Sequence, residues 1–194
     1  MEQVKLRKRA IWALFIVFVL YLLLVILGNS NLIKQKKYPL KFEEQIREYS
    51  TVYQVDPFLV ASIIFIESRF NPDAVSMRNA KGLMQILPST GEWVASKLDI
   101  ENFNETHLLD PETNIQIGCW YISYLSSQFS GNMELVLAAY NGGIGNVSKW
   151  LKEKKYSTDG KQLDYIPFVE TRNYVEKVLG VYNIYQEIYP GLEL

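Results

Sequence analysis

The chain has 194 residues, with 20 Lys and Arg against 21 Asp and Glu for a formal charge of −1, and a single cysteine. That composition excludes a basic nucleic-acid-binding face, an internal disulfide framework and a Cys-rich zinc site. With 48% apolar residues the chain is not broadly disordered, and its length suits one domain plus an appendage.

The appendage comes first. Residues 1–10 carry Lys5, Arg7, Lys8 and Arg9 against Glu2, a local charge of +3, so the remainder sums to −4. From Ile11 to Leu27 every residue is apolar, and Ala10 and Gly28 extend the run to 19. As a helix this spans roughly 28 Å, close to the hydrocarbon thickness of a bilayer. A cleaved signal peptide is the rival reading, but its apolar region is usually about 7–15 residues and ends in a small-x-small site. Leu27-Gly28-Asn29-Ser30-Asn31 offers no convincing match, and no cysteine follows to carry a lipid. The expectation is a basic cytoplasmic segment at 1–10, a single transmembrane anchor at 11–28, and a polar stalk at 29–39. The rest, 40–194, then faces the outer side of the cell membrane; Lys34, Lys36 and Lys37 weaken that orientation without reversing it.

Beyond the stalk, helix signals repeat and strand signals do not. Lys41 to about Tyr53 places Phe42, Ile46 and Tyr49 among charges, an amphipathic pattern. Asp56-Pro57 is an N-cap followed by proline at the first helical position. Phe58–Ile66 is apolar almost all round, which predicts a buried helix ended by Asn71-Pro72. Pro88 opens a helix running into Trp93 and Leu98, and Asp110-Pro111 repeats the cap before Ile115, Ile117, Trp120, Tyr121, Tyr124 and Leu125. Met133–Tyr140 is a short helix stopped by Asn141-Gly142-Gly143, and 168–189 carries a helical apolar stripe. The prediction is one mainly α-helical domain from about residue 40 onward.

Within that domain Glu67 is the chemical outlier. It ends an almost unbroken apolar helix, where lost hydration disfavours the charged form and raises the carboxyl pKa. A protonated carboxylic acid near neutrality is what a general acid requires. By itself, the residue reads more readily as an ordinary helix-end glutamate with a solvated head, paired to Arg69 or similar.

The stretch ESRFNPDAVSMRNAKGLMQILPST at 67–90 resembles the first motif of soluble lytic transglycosylase catalytic domains, in the goose-type lysozyme superfamily. NIQIGCWYISYL at 114–125, LAAYNGG at 137–143 and IPFVETRNYV at 166–175 resemble its further motifs, in the same order. The resemblance covers roughly residues 55–190. It implies a lysozyme-like helical domain that cleaves peptidoglycan glycan strands with one glutamate and no metal or organic cofactor. It names no protein partner.

Position by position, Glu67 matches the catalytic glutamate. By the resemblance, it protonates the glycosidic oxygen between N-acetylmuramic acid and N-acetylglucosamine. Its carboxylate then takes the proton from the muramoyl C6 hydroxyl, which attacks C1 to leave a 1,6-anhydro end. The resemblance puts Ser76 near that acid and lines the cleft with Gly82, Leu83, Met84 and Gln85. Ala139, Tyr140 and Asn141 match its tyrosine-asparagine motif, with the tyrosine hydroxyl close to the catalytic carboxyl. Glu170 matches a second cleft carboxylate, and Tyr174 lies in the same motif. Gly143 stands where the family often has alanine, and Leu87 where it often has methionine, so sugar packing changes while the chemistry is expected intact.

Retaining glycosidases place two carboxyls about 5–5.5 Å apart and inverting ones about 6.5–9.5 Å. No second acid sits immediately beside Glu67, and Asp73 lies beyond a proline turn. A substrate-borne nucleophile needs one shuttling carboxyl, which favours the transglycosylase; a muramidase using water and a non-catalytic wall-binding scaffold remain as alternatives. His107 reads as a surface loop residue and Cys119 as a small buried apolar side chain. Trp93, Trp120 and Trp150 read as core before sugar platform, the Tyr182–Tyr185–Tyr189 stripe as a buried face, and Lys152, Lys154 and Lys155 as solvated.

Overall fold

The computed structural model describes residues 2–193 and is 68% helical, with no strand among the described residues. The chain divides into two compact units, residues 1–39 and 40–194. The first is the helix α1 (Glu2–Lys37), which continues through the polar residues that follow the apolar run. Described side chains from Ile11 to Ile26 are all exposed, an apolar surface poorly suited to water. By length and composition this helix can cross a membrane. The side chains at 27–30, including the end of the apolar run at Leu27 and Gly28, lie outside the described set, as does that of Ala10.

The second unit is a helical domain: α2 (Glu43–Tyr53), α3 (Pro57–Ser68), α4 (Pro88–Lys97), α5 (Pro111–Gln128), α6 (Met133–Gly142), α7 (Ile144–Trp150) and α8 (Val169–Ile188). Short 3-10 turns occupy Glu105–Leu109 and Pro190–Leu192. The two Asp-Pro devices work as their chemistry demands. Asp56 Oδ1 accepts from the Phe58 and Leu59 N–H groups at the start of α3, and Asp110 Oδ2 from Thr113 N–H at the start of α5.

α3 is the hub. Every residue from Pro57 to Phe65 is buried, so this helix is held by tertiary packing on all sides. α8 supplies the largest contacts: Tyr185 lies edge-on to Phe65 and Tyr182 to Phe58, and the Tyr182 hydroxyl donates to Asp56 Oδ2 at 2.6 Å. Tyr185 is fully buried, as the stripe predicts. Trp150 is 4% exposed against Phe168, and Cys119 is fully buried, both core. His107 is half-buried, and its Nδ1 accepts from Asn104 N–H, capping the short 3-10 turn. α7 has no counterpart in the sequence reading: it is seven residues long, follows Gly143 and contains Gly145, too short and too glycine-rich for a periodic signal.

Candidate active site

Glu67 sits in the last turn of α3. Immediately after Ser68 the chain turns through two consecutive left-handed residues, Arg69 at φ 55° and Phe70 at φ 60°. For an aromatic residue that conformation is strained, and it is held here because Phe70 is buried at 2% exposure. The reversal stops the helix directly beyond Glu67 and sends residues 71–87 back past it as a braced loop.

The braces are specific. Isolated bridges pair Lys81 with Val75 and with Ile86. Ser68 Oγ donates to the Leu83 carbonyl at 2.7 Å, tying the loop to the last turn of α3. The Gln85 amide donates to the Ala74 and Gly82 carbonyls, each at 3.0 Å, and Ser76 Oγ accepts from Ala80 N–H at 3.0 Å. Gly82 stands at φ 76° where a Cβ would overlap the Leu108 carbonyl and the Asn114 amide, so only glycine fits.

Asn114, from α5, is the keystone the sequence reading passed over. It is fully buried; its Oδ1 accepts from Met84 N–H at 2.8 Å, and its Nδ2 donates to the Lys81 and Leu108 carbonyls at 3.0 and 2.7 Å. One turn later a Cβ on Gly118 would overlap Met84 Sδ, so the glycine lets the loop seat against α5. A buried asparagine four residues before a glycine, among Ile115 and Ile117, was the available signal.

The structure gathers Tyr140, Tyr174 and Glu170 around the Glu67 carboxyl, although they come from α6 and α8. Tyr140 lies near the carboxyl and is bonded to the loop beside it. Its hydroxyl donates to the Met84 carbonyl at 2.7 Å, clamping the loop to α6, while remaining near enough for the Glu67 charge to act on it. Burial first, and that neighbouring charge second, push the phenol well above its usual pKa. Tyr174, 7% exposed, is the hydroxyl turned toward Glu67; burial and the Glu67 charge raise it likewise. Gly142 permits this convergence, since a Cβ there would stand 2.9 Å from Thr171 Oγ1 and push α8 away.

Glu67 is half-buried and its carboxyl is pushed from 4.5 up to about 7. Burial is the dominant cause; the Tyr174 hydroxyl, buried beside it without a formed hydrogen bond, opposes it, and the negative charge of Glu170 reinforces it. Glu170 itself is largely exposed and faces Arg78 Nη2 at 3.9 Å. Ser76 is exposed, Asn141 half-buried, and the side chains of Leu83, Met84 and Ala139 are fully buried, so those three present only backbone. Leu87 is 42% exposed beside this loop. Trp93, Trp120, Tyr121 and Tyr124 are half-buried and pack on one another, and Tyr121 meets Tyr140 at 5.6 Å. A cavity of about 490 Å³ lined by Asp56, Pro57 and Phe58 lies at the opposite end of α3, about 15 Å of helix away from Glu67.

A half-buried acid with a near-neutral pKa, a tyrosine donor and a nearby carboxylate can deliver a proton to a polar atom and take one back. Among the described residues, no group of three or more His, Cys, Asp or Glu is placed to hold a metal.

Residues 44–163 match the family model described as "Transglycosylase SLT domain". The chain is 35% identical over 159 residues to the soluble lytic murein transglycosylase of Escherichia coli (strain K12), covering 81% of this chain and 24% of that protein. It is 31% identical over 173 residues to the membrane-bound lytic murein transglycosylase C of Edwardsiella ictaluri, covering 76% of this chain and 47% of the relative. The crystal structure of the 70 kDa soluble lytic transglycosylase from Escherichia coli superposes with a TM-score of 0.72 at 32% identity, covering 83% of this chain and 27% of that one. The chain thus spans between a quarter and a half of the length of these relatives. The helical fold is that of the 70 kDa enzyme, and the chain belongs to the transglycosylase SLT domain family.

Proposed function

We propose that this protein is a membrane-anchored lytic transglycosylase that cleaves peptidoglycan glycan strands between N-acetylmuramic acid and N-acetylglucosamine, leaving 1,6-anhydro ends. The observation that carries the reading is the Glu67 carboxyl, held at about 7 between the Tyr174 hydroxyl and the charge of Glu170. At pH 7 about half of the molecules hold the proton that a general acid must deliver. The names of the relatives supply the substrate class.

In the first half of the reaction Glu67 gives its proton to the glycosidic oxygen as the C1–O bond breaks. The departing N-acetylglucosamine keeps that proton as its hydroxyl. Positive charge develops at C1, and the negative Glu170 favours it electrostatically. The Tyr174 hydroxyl stabilises the Glu67 carboxylate just formed. In the second half the carboxylate removes the proton of the muramoyl C6 hydroxyl while that oxygen bonds to C1, which closes the anhydro ring and restores protonated Glu67. The residues at Gly82–Gln85, with Ser76, Tyr140 and Asn141, hold the sugar against this acid. Glu170 is largely exposed and opposite Arg78, a setting that suits an electrostatic role better than activation of a water.

The anchor is α1, with the basic residues of its first turns in the cytoplasm and residues 40–194 outside. Protease added to wall-stripped cells removes the C-terminal domain if this holds; complete protection of the domain reverses the orientation. The catalytic reading is tested on purified sacculi. Wild-type protein should release soluble glycan, and Glu67→Gln should release several orders of magnitude less, since general acid–base catalysis alone contributes about 10²–10⁴-fold. Release by a folded Glu67→Gln variant within a few-fold of wild type would overturn the assignment.

A further inference from the structure

The cleft rim carries a charge that the reaction scheme leaves unused. Three arginines flank this end of the domain, and two are engaged. Arg69 lies over the Phe65 ring at 3.9 Å, and Arg172 lies over the Tyr165 ring and donates to the Ile166 carbonyl at 3.3 Å. Lys81, the neighbouring lysine, is 12% exposed and turned to Glu105. Arg78 differs. Its side chain is 81% exposed, its approach to Glu170 at 3.9 Å is beyond hydrogen-bond distance, and among the described residues its guanidinium makes no hydrogen bond.

The backbone that carries it is nevertheless braced. The backbone on either side is pinned by Ser76 N–H to the Ala80 carbonyl and Asn79 N–H to the Ser76 carbonyl, both at 2.9 Å, and Asn79 is anchored to Glu105 at 3.1 Å. Glu170, which faces Arg78, is close enough to Glu67 to raise its pKa. A planar fork of N–H donors, paired only loosely with Glu170, therefore stands on a braced turn at the edge of the reaction centre. Beside it in the chain Met77 is wholly exposed and Val75 is 55% exposed, and Val169 next to Glu170 is 57% exposed. That combination of a loosely paired guanidinium and exposed apolar side chains suits a carboxylate borne on a short aliphatic branch.

Resting on the proposed substrate, we infer that Arg78 is a specificity-determining residue that binds the carboxylate carried on the 3-O-lactyl branch of muramic acid. The carboxylate is the lactyl acid itself where the stem peptide has been removed, or a stem-peptide carboxylate where it is present. Arg78 exchanges its loose pairing with Glu170 for a two-point contact with the ligand, so its contribution lies in binding and not in proton transfer.

The test is a binding measurement on the full-length chain in detergent micelles, carrying Glu67→Gln so that glycan is not consumed. Affinities are measured for three soluble glycans: peptide-bearing strands, amidase-stripped strands with free lactyl carboxylates, and stripped strands whose carboxyls are converted to neutral amides. The Glu67→Gln protein should bind a carboxylate-bearing glycan about tenfold more tightly than the neutral one. Adding Arg78→Gln should abolish that difference, and Arg78→Lys should restore only part of it. Loss on peptide-bearing strands alone identifies the stem peptide, and loss on stripped strands identifies the lactyl group. Equal weakening on all three glycans, no weakening, no measurable binding, or the same loss from Lys154→Gln would each overturn the inference. Wild-type digestion of sacculi is read in parallel. A protein that shows Arg78-dependent preference but yields no product sinks the lyase reading alone, whereas cleavage with charge-blind binding sinks the role of Arg78 alone.

Discussion

Burial of the Glu67 carboxyl makes a quantitative statement about stability. The group titrates near 4.5 when solvated and at about 7 in the folded protein, so between those values the folded state holds a proton that the unfolded chain has released. Stability therefore falls as pH rises through that window, and the full penalty is present above about 7. A rise of about 2.5 pH units corresponds to about 3 kcal/mol at 1.36 kcal/mol per unit. Glu67→Gln removes the ionisation and keeps the shape. At pH 4 the variant and wild type should unfold alike, and at pH 8 the variant should be the more stable by up to about 3 kcal/mol. For a unit of this size that is a gap of roughly 6–12 °C in Tm. The assay is thermal unfolding of residues 40–194, a compact unit by itself, followed by circular dichroism from pH 4 to pH 8. A difference between the two proteins that does not change with pH, or that grows toward acid, would refute the buried acid and with it the reason for choosing Glu67. The inactive variant being the more stable one at high pH is the signature of a site that sacrifices stability for chemistry.

Three further outcomes follow from the same geometry. Tyr140→Phe should leave the Met84 carbonyl without its donor, costing about 1–3 kcal/mol by denaturant titration together with a fall in glycan release; a variant as stable as wild type would remove the clamp. Glu170→Gln takes away a charge that raises the Glu67 pKa, so the alkaline limb of the pH–rate profile should move to lower pH, and a limb that stays in place or moves up would contradict the coupling. Asn114→Ala strands Met84 N–H and the Leu108 carbonyl, while the Lys81 carbonyl keeps its bond from Ile86 N–H; this should destabilise the domain by about 2–3 kcal/mol and speed hydrogen exchange at Met84, whereas unchanged protection there would show that the loop is held by something else.

Much of the scaffold is legible in the residues because its determinants are local. Asp56-Pro57 and Asp110-Pro111 announce helix starts through the chemistry of one side chain and one ring, and an apolar run through Phe65, interrupted only by Ser62, announces burial. Glu67 stands out for the same reason, as a carboxylate ending that run. The assembly around it is not local. Asn114 reaches Met84 across 30 positions, Tyr140 reaches the same residue across 56, and Ser68 reaches Leu83 across 15. Spacing gives no hint of those partners, and the family resemblance could place Tyr140 in the cleft without saying that its hydroxyl braces the loop. The reversal at Arg69 and Phe70 was equally hidden, since neither residue prefers a left-handed backbone. Trp93 and Trp120, read as core, pack with Tyr121 and Tyr124 in a half-buried cluster that connects to Tyr140.

The central claim is that a single half-buried carboxyl passes a proton between two oxygens of the substrate itself, with no water consumed. Digestion of purified peptidoglycan in heavy-oxygen water, with the products weighed by mass spectrometry, tests it directly. The account predicts 1,6-anhydromuramoyl ends without heavy oxygen from the wild-type protein, and none of them from Glu67→Gln. Reducing ends that carry heavy oxygen would show water as the nucleophile and contradict it.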